Sequence, residues 1–188
     1  SFAFTQTQLG SDIDGEAAGD YFGTSVSMNS AGDRIAIGAD YNDGTGTQAG
    51  HVRVYEYSNS SWTQVGSDID GEAANDLSGG SVSMNSAGDR VAIGAVGNDG
   101  TGDGAGHVRI YEYSNSSWTQ LGSDIDGEAA SDGSGRSVSM NSAGDRVAIG
   151  AIWNDGTGTQ AGHVQVYEYS DSSWTQIGSD IDGEAAQD

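Results

Sequence analysis

Carboxylates at alternate positions can wrap a hard cation, and the stretch "DIDGEAAGD" offers four. Asp12, Asp14, Glu16 and Asp20 stand at relative positions 1, 3, 5 and 9. The pattern returns as Asp68, Asp70, Glu72 and Asp76, and again as Asp124, Asp126, Glu128 and Asp132. Calcium takes several oxygen ligands converging on one point, so these twelve acids are the candidate metal ligands and calcium the candidate ion. Calcium loops place their turn glycine at position 6. Here Gly15 stands at position 4. A solvated linker, acidic for solubility and turn formation, is the competing reading, and the partial match favours it.

Three other residue types carry chemistry. His51, His107 and His163 open equivalent segments, and a set of imidazoles can bind a transition metal. No second ligand type stands at a fixed short spacing from them. Histidines satisfied inside the fold are therefore the favoured reading. Trp62, Trp118 and Trp174 also recur, and packing on Tyr55, Tyr57 and their copies explains them. Trp153 breaks the pattern, because Tyr41 and Gly97 stand at its counterparts. Trp153 and Tyr41 are the candidate ligand contacts, on a loop where drift is also tolerated. "NSS" at Asn59–Ser61 and Asn115–Ser117 is a glycosylation sequon, but Asn suits a tight turn and the third copy has Asp171.

These residues recur with one period. The octapeptide "SDIDGEAA" starts at Ser11, Ser67, Ser123 and Ser179, spaced by 56 residues. Repeats of this length indicate solenoids or propellers. Within a unit the apolar residues alternate. Val26 and Met28 alternate with serines, Ile35 and Ile37 with Ala36 and Gly38, and Val52 and Val54 with Arg53 and Tyr55. Period two means strands, and Gly-, Asn- and Asp-rich punctuation separates them. Each unit reads as four antiparallel strands, the last spanning Trp62–Ile69. The expected fold is all-β: a β-propeller of four-stranded antiparallel blades, three blades per chain. Residues 1–188 form one half-propeller domain, with repeats about 11–66, 67–122 and 123–178 and a partial fourth copy at 179–188. In such a fold the linker between blades and the "NDGTG" loop (Asn42–Gly46) emerge on the same face. That face gathers Asp12, Asp14, Glu16, Asp20 and Asp43 once per blade, an arrangement costly without screening ions.

Composition narrows the partners. The formal charge is −22 over 188 residues, and all six basic residues are Arg. Such a surface repels nucleic-acid phosphates and anionic membrane faces. No apolar run approaches the ~20 residues of a membrane helix, so neither nucleic acid nor membrane insertion is expected. Cysteine is absent, which excludes disulfides and thiol chemistry. High-salt, marine or calcium-containing surroundings suit the charge.

At "DYFGTSVSMNSAGDRIAIGAD" the sequence resembles the FG-GAP repeat of integrin-α-type β-propellers. Phe22-Gly23 matches the FG element and Gly38-Ala39 the start of GAP, while "AGHVRVYEY" resembles the third strand. Phe22 becomes Ser78 and Ser134 in later copies, and no copy has the proline of GAP. The resemblance implies a propeller for binding or adhesion, extracellular or at the cell surface, rarely catalytic. The family often binds calcium in the first hairpin loop. Here that loop is "NSAGDR", with Asp33 its one acid, so the family's site does not carry over to Asn29–Arg34.

Near-identical blades give near-identical environments, whereas catalytic acid–base pairs need environments that push their pKa values apart. A non-catalytic binding, adhesion or scaffold module with a glycan or protein ligand is the leading expectation. A hydrolase or lyase using carboxylates such as Asp14 or Glu16 in a central pocket is the alternative, and a structural array without ligand a third. Three blades are too few for a closed ring, which typically needs 4–8. Two chains joined head to tail about a two-fold axis give six, so a homodimer is expected. The two terminal copies of the outer strand, Thr5–Ile13 and Ser172–Ile181, then compete for one slot. Trp174–Ile181 is expected to complete the third blade, with Ser1–Gln8 peripheral or reaching to the partner.

Overall fold

A computed structural model describes residues 7–186. Ser1–Gln6, part of the segment expected at the periphery, lie outside the described residues. No helix occurs among those described. The first blade contains β1 (Ser25–Met28), β2 (Arg34–Ala39), β3 (His51–Ser58), β4 (Ser61–Gln64) and β5 (Ile69–Asp70). The second contains β6 (Ser78–Met84), β7 (Arg90–Ala95), β8 (His107–Ser114), β9 (Ser117–Gln120) and β10 (Ile125–Asp126). The third contains β11 (Ser134–Met140), β12 (Arg146–Ala151), β13 (His163–Ser170), β14 (Ser173–Gln176) and β15 (Ile181–Asp182).

Each blade is an antiparallel meander in order of sequence. One feature departs from the expectation of four continuous strands. The outer position is shared by two short strands: β4 pairs with one half of β3, and β5 with the other. Their registers differ by two residues, with Tyr55 opposite Gln64 but Val52 opposite Ile69. The extra length forms a kink at Val65–Asp68, which bends the strand and re-aims its side chains. β5 belongs to the second "SDIDGEAA" copy, β10 to the third and β15 to the fourth. Each octapeptide therefore finishes the blade before it, and the fourth finishes the third blade.

The hairpin turns follow from local chemistry. Asn59 and Ser60 both adopt positive φ (51° and 63°), the two-residue turn that matches strand twist. In the second blade's first hairpin, Asn85 Oδ1 accepts from the backbone N–H of Gly88, Asp89 and Arg90 at 3.0–3.1 Å. Asn85 Nδ2 also donates to Asp89 at 2.7 Å. The equivalent Asp33 is likewise bonded by Asn29, at 2.7 Å, so this loop's one acid is engaged in closing the turn.

The core lies between blades. Val52 and Val54 of β3 pack on Met84, Val91 and Ile93 of the second blade. Val108 and Ile110 of β8 pack on Val147 and Ile149 of the third. Small residues let the inner strands approach. Ser25 Oγ donates to Gly79 O at 2.6 Å, and Ser27 Oγ accepts from Met84 N at 2.9 Å. Ser81 and Ser83 repeat these bonds to Gly135 and Met140. Arg34 and Arg90 each reach the next blade's hairpin, donating to Gly88 O and Gly144 O at 3.1 Å. Their counterpart Arg146 stands in the last of the described blades, and its side chain is 55% exposed.

Both ends of the arc show apolar surface. Val26 and Met28 are exposed at one end, and Ile152, Val164 and Ile181 at the other. Val164 is 36% exposed, whereas its counterparts Val52 and Val108 are fully buried. The N-terminal strand copy is not in the third blade's slot. Leu9 O accepts from Trp62 Nε1 at 2.9 Å, just as Val65 O accepts from Trp118 and Leu121 O from Trp174. Leu9 thus holds, beside the first blade, the place that an outer strand holds between later blades.

Candidate functional site

Two places gather polar side chains. The first repeats at each blade. His51 and Arg53 lie on the face of β3 opposite Val52 and Val54. Two carboxylates meet them there: Glu16 from the preceding linker and Asp68 from the outer-strand kink. Arg53 pairs with Glu16 and, at 2.8 Å, with Asp68. Gln64 Nε2 donates to Asp68 at 2.6 Å and holds it in place. The second blade repeats the cluster with Glu72, His107, Arg109 and Asp124, the guanidinium gripping Asp124 through two bonds of 2.9 and 2.8 Å. Burial works against the Arg53 and Arg109 cations, but bonds to the carboxylates outweigh it and push their pKa values up. Burial, then the neighbouring arginine, lowers the pKa of His51 and of His107, so both rings are neutral near pH 7.

The third blade differs by one residue. Gln165 stands where the others have arginine, and its Nε2 donates to both Glu128 and Asp180 at 3.0 Å. The bond from Gln165 holds the Asp180 carboxyl below its usual range.

These clusters regroup the acids singled out in the sequence. Glu16, Glu72 and Glu128 join a histidine and an aspartate in sets whose donor atoms lie within 4.8 Å of one another. Asp68 and Asp124 join the preceding blade's set and not that of their own linker. Asp12 and Asp14 are exposed, and Asp12 accepts from Gln8. Asp20, Asp76 and Asp132 are buried structural groups. Asp76 accepts from Ala73 N and Asn98 Nδ2 at 3.1 and 3.2 Å, and Asp132 from Ala129 N and Asn154 Nδ2. Asp70 and Asp126 lie opposite His51 and His107 in the strand register. The four acids of a linker do not form one of these sets. Sequence reading missed the histidine clusters because their members lie far apart. Glu16 precedes His51 by 35 residues and Asp68 follows it by 17. Equal offsets in all three copies were the available signal.

The second place is a 330 Å³ cleft where the inner ends of the three blades meet. Trp153 and Tyr41, the expected ligand contacts, both line it, with Asp40, Leu77 and Arg136. Each of these five differs from its counterparts in the other blades. The backbone of Gly133, at φ 63°, makes room for the indole: a Cβ there would stand 2.5 Å from Trp153 Cε3. Tyr21 packs edge-on against Tyr41, ring centroids 4.8 Å apart. Asp40 Oδ1 is buried without a hydrogen-bond partner. Burial raises the Asp40 pKa, opposed by its backbone bond, Thr24 and the Arg136 charge. A 460 Å³ groove continues outward past Trp153 between the second and third blades' loops. The cleft offers an aromatic wall, a cation and an unpaired acceptor, the composition of a small-ligand site.

The FG-GAP repeat model matches residues 11–55 and 124–167. No curated protein matches the sequence. Among solved structures, the chain is similar to Kuenenia stuttgartiensis hydrazine synthase, with a TM-score of 0.53 over 93% of this chain at 8% identity. It spans 42% of that chain, and the likeness is one of fold.

Proposed function

The chain carries FG-GAP repeats, and from that premise we propose a non-catalytic binding module that takes a glycan in the cleft between its blades. The supporting observation is the convergence of blade-unique residues. Asp40, Tyr41, Leu77, Arg136 and Trp153 differ from their counterparts, yet all line one cleft. A sugar ring presents C–H bonds to the Trp153 face and hydroxyls to Asp40 and Arg136. Trp153 is 43% exposed, so its substitution leaves the core intact. On a glycan array, Trp153→Ala is expected to weaken every bound glycan at least tenfold. An unchanged profile overturns the assignment. The competing reading is a hydrolase, and the raised pKa of Asp40 favours it over the exposed Asp14 or Glu16. Turnover of a glycan that disappears in Asp40→Asn would establish it in place of pure binding.

The same reading includes display outside the cell, supported by the repeat family and the charge of −22. It also includes calcium as a loosely held counter-ion of the acidic loop face, where Asp12 and Asp14 are exposed. Binding to the folded state raises stability, so the melting temperature is expected to rise in millimolar calcium. No change against chelator at matched ionic strength removes calcium from the reading.

Ring closure by a second copy completes the proposal. Val26 and Met28 at one end and Val164 and Ile181 at the other are the surfaces that later blades bury. Closure requires the second copy's outer strands to take the slot held by Leu9. Light scattering should give a dimer mass, and a monomer at micromolar concentration overturns closure.

A further inference from the structure

We propose that the cluster between the second and third blades, formed by Glu128, His163, Asp180 and Gln165, binds one divalent transition ion of the zinc class. In the first two blades the corresponding position is filled by a cation already present, the guanidinium of Arg53 or Arg109. The third keeps both carboxylates and the histidine but replaces the cation with a neutral amide. Counting carboxylates and arginine alone, the cluster's formal charge is −2 where its siblings carry −1.

His163 supplies the nitrogen donor, placed as His51 and His107 are in their own clusters. Its side chain is 3% exposed, and its Nδ1 faces Asp180 Oδ2 at 3.9 Å, beyond hydrogen-bond reach. An imidazole held beside two carboxylates offers one nitrogen and two oxygen donors to an ion. The donor atoms of Glu128, His163 and Asp180 lie within 4.8 Å of one another. Zinc bonds of about 2.0–2.2 Å require donor separations of about 3.3 Å. The exposed Glu128 and half-exposed Asp180 can make that contraction. Gln165 now points its Nε2 at both carboxylates, and rotating the amide would present Oε1 as a further donor. One imidazole nitrogen with two carboxylates suits zinc and its neighbours, whereas an all-oxygen shell suits calcium. The site is separate from the glycan cleft and does not depend on it.

Because the siblings differ by a single residue, the site can be removed and added. Zinc is titrated calorimetrically in excess calcium, which occupies weaker all-oxygen positions on the acidic surface. The wild-type chain should bind one zinc ion. Gln165→Arg, which copies the arrangement of the other blades, should lose that binding at least tenfold in affinity, as should His163→Ala. Arg109→Gln should raise the count to two. Cobalt, a zinc surrogate with visible absorption, should give bands in the wild type that Gln165→Arg lacks. Zinc binding that is absent from the wild type, or unaffected by Gln165→Arg, overturns the proposal. A count that stays at one in folded Arg109→Gln overturns the charge-replacement argument behind it.

Discussion

Adding one methyl group at Gly94 is expected to destabilise the protein by about 1–3 kcal/mol or more, the range for overpacking a well-filled interior. Gly94 lies in β7 with the third blade's inner strand against it. A Cβ there would overlap the Gly135 carbonyl oxygen and Ser81 Oγ. The carbonyl is backbone held in the next blade, so relief requires the two blades to separate. That movement would strain the Ser81–Gly135 bond and open the packing of Val108 and Ile110 on Val147 and Ile149. The equivalent change in the last blade supplies the comparison. At Gly150 a Cβ meets only atoms of Ser137, the nearest being Oγ at 2.5 Å, and a serine hydroxyl can rotate away. In a monomer, Gly150→Ala should therefore lie within about 0.5 kcal/mol of wild type, as for ordinary surface changes. In a closed ring a second copy's inner strand would lie where Gly135 lies for Gly94, and the two substitutions would cost alike. Denaturant midpoints for both variants check this. A Gly94→Ala protein as stable as wild type contradicts the interblade contact.

Truncating Ile110 should have the second large effect. Ile110 is fully buried in β8 and belongs to the cluster shared with the third blade. Removing its branched side chain loses the transfer energy and leaves a cavity, typically costing about 2–5 kcal/mol for Ile→Ala. Domains of this kind are stable by only about 5–15 kcal/mol, so a large share of the total is at stake. The cavity would lie between blades, and neither sheet can collapse into it without shifting its inner-strand bonds. A loss below about 1 kcal/mol in equilibrium unfolding would mean that the interface is not packed as described.

The sequence by itself determined the strands, the blades and the turns, because these depend on neighbours along the chain. Alternation of Val26 and Met28 with serines marks β1, and Asn59-Ser60 marks a two-residue turn. The 56-residue period marks three near-equal units. Trp153 and Tyr41 were legible as well, since a break in a repeat is visible without coordinates. Tertiary structure decided the rest. Nothing local says that the acids of "DIDGEAAGD" part company, with Asp20 buried on Asn42, Asp12 left in solvent and Glu16 carried to Arg53. Trp174–Ile181 completes the third blade as the sequence indicated, but only the fold shows that it does so as two short strands, β14 and β15, each paired with part of β13. Strand pairing joins residues far apart in sequence, and period two fixes which face a side chain takes but not which strand lies beside it. The kink at Val65–Asp68 turns Asp68 towards His51, and the linker crossing brings Glu16 to the same point. Those placements depend on long-range packing, so the replacement of arginine by Gln165 acquires chemical meaning only in the folded chain.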